Sequence, residues 1–166
     1  MIIRDIMTER PVRIGVEDTL LDAIKAMKNH EGIRHLPVLQ GRQLVGILSA
    51  SDIRNVLGIG SGEPVDPRLL QRKITSVMTK KVTTVTPEDS LVRAARLFTD
   101  GKFGSLPVVD KGELVGIITT GDLFNRHLIP LMEETTQQAE AEEMIMPKPP
   151  LVQADESSKK TKKKKS

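Results

Sequence analysis

The stretch Leu36-Pro37-Val38-Leu39-Gln40-Gly41-Arg42-Gln43-Leu44-Val45-Gly46-Ile47-Leu48-Ser49-Ala50-Ser51-Asp52-Ile53 returns later in the chain. There it reads Leu106-Pro107-Val108-Val109-Asp110-Lys111-Gly112-Glu113-Leu114-Val115-Gly116-Ile117-Ile118-Thr119-Thr120-Gly121-Asp122-Leu123. Eight of the 18 aligned positions are identical, at an offset of 70. Four more are close: Leu39/Val109, Leu48/Ile118, Ser49/Thr119 and Ile53/Leu123. The repetition reaches further toward the N-terminus. Met7-Thr8 recurs as Met78-Thr79, and Glu17-Asp18-Thr19-Leu20 as Glu88-Asp89-Ser90-Leu91, both at an offset of 71. The second copy therefore lacks one residue between about Met27 and Leu36. Two copies are too few for a solenoid, so a two-fold-like pair is the natural reading.

Each copy has the same coarse order of elements. A short β-prone stretch comes first, Val12 to Val16 or Val82 to Val85. Glu-Asp-Thr/Ser-Leu then opens a helix with acidic residues in its first turn. Leu20, Ala23, Ile24 and Met27 fall on one helical face, as do Leu91, Ala94, Ala95 and Phe98. Two apolar strands follow, Leu36 to Leu39 and Leu44 to Leu48 in copy one, Leu106 to Val109 and Leu114 to Ile118 in copy two. A polar turn containing Gly joins each pair into a hairpin. Ser49 or Thr119 stands three residues before Asp52 or Asp122, where a second helix starts. The unit reads β-α-β-β-α, an α+β class, and its strands are too few to bury alone. The two copies are therefore expected to pack on each other.

These units span residues 1–57 and 74–130. Between them, 58–73 is a linker rich in Gly and Pro. Its Gly58-x-Gly60-x-Gly62 lacks the Gly-Lys-Ser/Thr of a phosphate loop and has no strand-to-helix setting. Residues 131–146 could form a helix of their own, and 147–166, rich in Pro and Lys, is expected to be disordered.

At 166 residues the chain suits one ordinary domain or two small ones. No apolar run approaches the roughly 18 residues that a membrane-spanning helix needs, and the N-terminus does not resemble a signal peptide. Cys is absent, which removes disulfides, thiol catalysis and Cys-based zinc sites, and fits a cytoplasmic location. Three Phe, no Tyr and no Trp cannot build a stacking platform for single-stranded nucleic acid. The net charge of +3 belongs to the tail. Residues 148–166 hold seven Lys against Asp155 and Glu156, leaving 18 basic and 20 acidic residues in 1–147, a net of −2. His30, His35 and His127 have no metal-ligand spacing. Met27, Met78, Met132, Met144 and Met146 read as packing residues. No nucleophile with a base and no catalytic acid pair is evident, so neither an enzyme nor a resident cofactor is expected.

Taken in order, Met-Thr, the Glu-Asp-Thr-Leu helix start, Leu-Pro-Val, Leu-Val-Gly-Ile and the Gly-x-x-Ser/Thr-x-x-Asp ending resemble a CBS domain. Two in tandem resemble the Bateman module, over about residues 1–130. The resemblance implies two β-α-β-β-α units packed by their sheets as a pseudo-two-fold pair, with two clefts between them. It also implies association into a homodimer and a regulatory role toward a partner protein. The ligand it implies is an adenosine nucleotide (AMP, ADP or ATP) or a relative such as S-adenosylmethionine.

The family's ribose contacts map onto Asp52 and Asp122, helped by Ser49 and Thr119. A carboxylate can accept both hydroxyls of a ribose diol through charge-assisted hydrogen bonds. The same residues also read as helix caps, and capping and ligand contact are compatible. The base and phosphate are expected near Arg34, His35, Pro37 and Val38 of copy one and Ser105, Pro107 and Val108 of copy two. Arg34 and His35 stand where copy two has Gly104 and Ser105, so the two sites are not equivalent. A solvated Arg and a partly buried His are the alternative for that pair. For the whole chain, the alternative is a ligand-free structural or interaction dimer. Its Lys159–Lys165 cluster would contact nucleic acid or anionic lipid, or merely keep the chain soluble.

Overall fold

The computed structural model describes residues 1–124. The expected helix over 131–146, the tail over 147–166 and His127 lie outside the described residues.

Each copy builds a three-stranded sheet around its hairpin. In the first, β2 (Ile14–Gly15), β3 (His35–Gln40) and β4 (Gln43–Ser49) pair in that order, β2 parallel to β3 and β3 antiparallel to β4. In the second, β5 (Ser105–Asp110) and β6 (Glu113–Thr119) form the equivalent hairpin. Lys111 and Gly112 turn its corner with φ of 49° and 83°, the two positive values that a type I′ turn requires. Val85 bridges Val108 in parallel, matching β2.

The third strand of the second sheet comes from the start of the chain. β1 (Thr8–Glu9) pairs antiparallel with β6, Thr8 opposite Ile117 and Glu9 opposite Gly116. The reciprocal contact is Thr79 bridging Ile47 of β4, through a pair of backbone hydrogen bonds of 2.9 and 3.0 Å. The segment before each copy thus completes the other copy. The exchange extends outward: Ile3 N donates to Asp89 O as Ile74 N donates to Asp18 O, and Leu91 N to Met1 O as Leu20 N to Arg72 O. Apolar burial fixes it. Ile3, Ile6 and Met7 belong to one core with Val85, Phe98, Leu106, Val108 and Ile118. Ile74 belongs to the other with Leu20, Leu36, Val38, Leu48 and Leu57. Burying one such Ile stabilises by about 1.5–3 kcal/mol.

The first helices, α1 (Leu20–Asn29) and α3 (Leu91–Gly101), turn Leu20 and Ala23, and Ala94 and Phe98, into these cores. Glu17-Asp18 and Glu88-Asp89 do not enter the first turn as the sequence suggests. Asp18 accepts a hydrogen bond from Gly15 N at 2.7 Å and Asp89 from Thr86 N at 2.8 Å, so each closes the turn before its helix. The second helices are α2 (Ala50–Leu57) and α4 (Thr120–Leu123). The Gly/Pro-rich linker contains a 3-10 turn, Pro67–Gln71, that lays Leu69 and Leu70 against the core of Leu20, Leu36 and Ile74. Among the described residues no helix is long and apolar enough to cross a membrane.

Candidate functional site

The two Ser/Thr-x-x-Asp endings have the same local geometry. Ser49 and Thr119 are the N-caps of α2 and α4, and Asp52 and Asp122 stand at the third helical position. Asp122 Oδ2 accepts from Thr119 N at 2.8 Å and from Thr119 Oγ1 at 2.7 Å, and Asp122 N donates back to Oγ1 at 3.3 Å. Asp52 repeats this with Ser49 at 2.8, 2.6 and 3.1 Å. All the carboxylate's bonds go to Oδ2. Oδ1 of each Asp has no protein partner among the described residues. Among the described residues, capping therefore uses one oxygen of each carboxylate and leaves the other unpaired.

A cleft of about 540 Å3 opens beside Asp122, within the range of small-molecule sites. Thr119, Thr120 and Asp122 of the second copy line it together with Arg34 and His35 of the first. Thr8, Pro11 and Val12 close it from the exchanged N-terminal segment. The cleft therefore needs both copies. The backbone at its seam is fixed by Ala50 N donating to Arg34 O at 2.8 Å and, in the pseudo-symmetric position, Thr120 N to Gly104 O at 3.4 Å. Arg34 is exposed and forms no ion pair among the described residues. His35 is partly buried, and burial is the main cause that pushes its imidazole below the usual value. The Asp52 carboxylate pulls it back up and the Arg34 guanidinium lowers it further.

Not every residue expected at the site lies in this cleft. Pro37 and Val38, like Val108, are fully buried, and Pro107 is also buried in β5. Strand alternation turns the Val side chains into the two cores. Ser105 is 6% exposed, and its Oγ finds no hydrogen-bond partner among the described residues. Ser49 and Asp52 sit at the pseudo-symmetric position, where Asp52 is near enough to act on His35. Among the described residues no group of His, Asp and Glu could hold a metal ion.

Similarity to known proteins bears on the same architecture. The CBS domain profile matches residues 3–59 and again 74–128. The chain belongs to the CBS-domain family. It is 36% identical over 130 residues to inosine-5'-monophosphate dehydrogenase of Korarchaeum cryptofilum, covering 78% of this chain but 24% of that enzyme. It is 32% identical over 152 residues to the uncharacterized protein MJ1426 of Methanocaldococcus jannaschii, covering 75% of this chain and 89% of that one. Among solved structures, CBSX2 in complex with AMP is 27% identical with a TM-score of 0.64, covering 76% of this chain and 96% of the other. The CBS domain pair of protein MJ0100, in complex with 5'-methylthioadenosine and S-adenosyl-L-methionine, is 26% identical with a TM-score of 0.64, covering 74% and 92%.

For this CBS pair, the sequence does not by itself point to the contribution of Thr8 and Pro11 to the cleft, whereas Val12 opens the β-prone stretch that the resemblance sets beside the base. A signal for Thr8 was present: Met-Thr recurs ahead of both copies, marking a segment with one job done twice. Pro11 carries no such mark, and its place depends on β1 crossing to β6.

Proposed function

We propose that the Asp122 cleft binds an adenosine nucleotide (AMP, ADP or ATP) or a related adenosyl compound such as S-adenosylmethionine, and that the chain is a regulatory module rather than an enzyme. The observation that carries this reading is the carboxylate of Asp122, one oxygen of which has no partner among the described residues, in the lining of a cleft that Arg34 also lines. Oδ1 can accept from both hydroxyls of a ribose diol, and Thr119 is adjacent to support them. Arg34 offers a planar fork of donors to a phosphate. The ligands carried by CBSX2 and MJ0100 support the same class. With few aromatic rings in the chain, the base would lie on aliphatic and backbone groups such as those of Val12 and Ile117.

Because ligand contacts come from both copies, occupancy would alter how the copies sit together, and that change is what a partner protein or a second copy of the chain would read. A thermal-shift series with AMP, ADP, ATP and S-adenosylmethionine tests the reading, since a ligand of the native state raises stability by mass action. Binding at micromolar to millimolar concentration is expected. No shift and no calorimetric heat with any of the four at millimolar concentration overturns it. Light scattering across a dilution series tests the homodimer.

A further inference from the structure

We propose that the Asp122 cleft takes up a proton when a phosphorylated ligand fills it, and that His35 accepts that proton beside the fixed cation of Arg34. The inference rests on the reading that this cleft binds an adenosine nucleotide, and it adds a proton to the ligand.

The geometry sets the imidazole at a seam. His35 opens β3, lines the cleft and stands over Gly104 of the other copy. Among the described residues, the charged groups at this region are Glu31 and Arg34 on the loop before β3, Asp52 on α2 and Asp122 on α4. With the cleft empty, partial burial and Arg34 hold the imidazole neutral near pH 7, with Asp52 as a partial counterweight. A phosphate entering beside Arg34 changes that balance. Its negative charge offsets the guanidinium and favours the imidazolium, which gains a second N–H donor. One proton then moves from solvent to a ring nitrogen of His35. Among the described residues that line the cleft, no other side chain titrates in this range by its ordinary value. The pseudo-symmetric position has Ser105 in the place of His35 and cannot do the same.

The test is calorimetry of AMP binding at about pH 7.5 in buffers of different ionisation enthalpy, where the slope of observed heat against buffer enthalpy counts protons. Adenosine is titrated in parallel. The native chain is expected to take up a fraction of a proton with AMP and none with adenosine. In His35→Ser, which copies Ser105, the AMP-linked uptake should vanish. The affinity ratio of native chain to variant should rise severalfold between about pH 8 and about pH 6. The phosphate's own ionisation near 6 contributes to both proteins, so the difference between them is the reading. If His35→Ser does not bind, His35→Gln keeps a donor of similar reach that cannot titrate, and the same loss of uptake is expected. Equal proton uptake in native and variant chains, or none in the native chain despite AMP binding, overturns the inference and leaves the cleft reading standing. Failure of both AMP and adenosine to bind overturns the cleft reading itself.

Discussion

His35 packs on the bare backbone of Gly104: a Cβ built on Gly104 would lie 2.8 Å from Nε2 and 2.9 Å from Cε1 of the imidazole. The two residues come from different copies, and both line the Asp122 cleft. Gly104→Ala should therefore push the ring aside and weaken AMP binding, with little loss of fold because the obstruction is a side chain. Combining it with His35→Ser removes the obstruction. The two changes should be non-additive in calorimetric affinity, as neighbours in contact are. Strict additivity would mean that the methyl acts elsewhere.

The same imidazole makes stability depend on pH. Its value in the folded chain lies below the ordinary 6.5, chiefly through burial. Between 6.5 and that lower value the unfolded chain holds a proton that the folded chain does not. Stability is then complete above 6.5, falls as pH drops through 6.5, and levels off below the folded-state value. His35→Ser should flatten this part of the profile. Melting temperatures from about pH 7.5 to about pH 5 check it, with the native-minus-variant difference removing the other histidines.

Gly116 carries the strand exchange. A Cβ there would lie 2.8 Å from Met7 Sδ and 3.1 Å from the Thr8 carbonyl oxygen. Met7 can yield, but the Thr8 backbone is paired with Ile117. Gly116→Ala should lower stability by about 1–3 kcal/mol, the cost of overpacking. It should also weaken ligand binding, since Thr8 is a wall of the cleft. Shortening Met7 to Ala in the same chain should not restore binding. Thermal melts and AMP titration of the single and double variants check both statements.

The hairpins were legible because their strands are long and apolar and repeat nearly residue for residue, and the caps because Ser49 and Thr119 each precede an Asp by three residues. The exchange was not legible. β1 is two residues long, too short for any alternation to show, and its partner is Ile117 near the other end of the fold. The cleft was half legible for the same reason. Asp122 and Thr119 stand out locally, but only the crossing of the two copies brings Arg34 and His35 to them. The strand residues Val38 and Val108 repeat as faithfully as the site residues do, yet they repeat to fill cores. Repetition records a shared structural role and does not separate packing from binding.

The Lys-rich stretch gives an independent prediction. Residues 1–147 carry a net −2 and residues 148–166 carry seven Lys. Deleting 148–166 should leave melting temperature and AMP affinity nearly unchanged. It should abolish salt-sensitive retention on heparin and any binding to anionic vesicles. Equal retention with and without the stretch would remove the polyanion role.

Thr19 and Asp22 provide the control that separates capping from binding. Asp22 Oδ2 accepts from Thr19 N at 2.9 Å and from Thr19 Oγ1 at 2.7 Å, and Asp22 N returns a 3.4 Å bond to Oγ1. That is the arrangement of Asp122 with Thr119, but at the start of α1, away from the Asp122 cleft. Asp22→Ala and Asp122→Ala remove the same capping contacts. Each should lower the melting temperature slightly. Only Asp122→Ala also removes the acceptor for the ribose diol. Its loss should weaken AMP by about 1.5–3 kcal/mol, the range for a hydrogen bond to a charged group, which is roughly tenfold or more in Kd. Asp52→Ala, which shares the capping geometry beside the pseudo-symmetric position, reports through the same titration whether a second site is filled. If Asp22→Ala weakens AMP as much as Asp122→Ala does, both act by loosening the fold, and the carboxylate of Asp122 is a cap and nothing more.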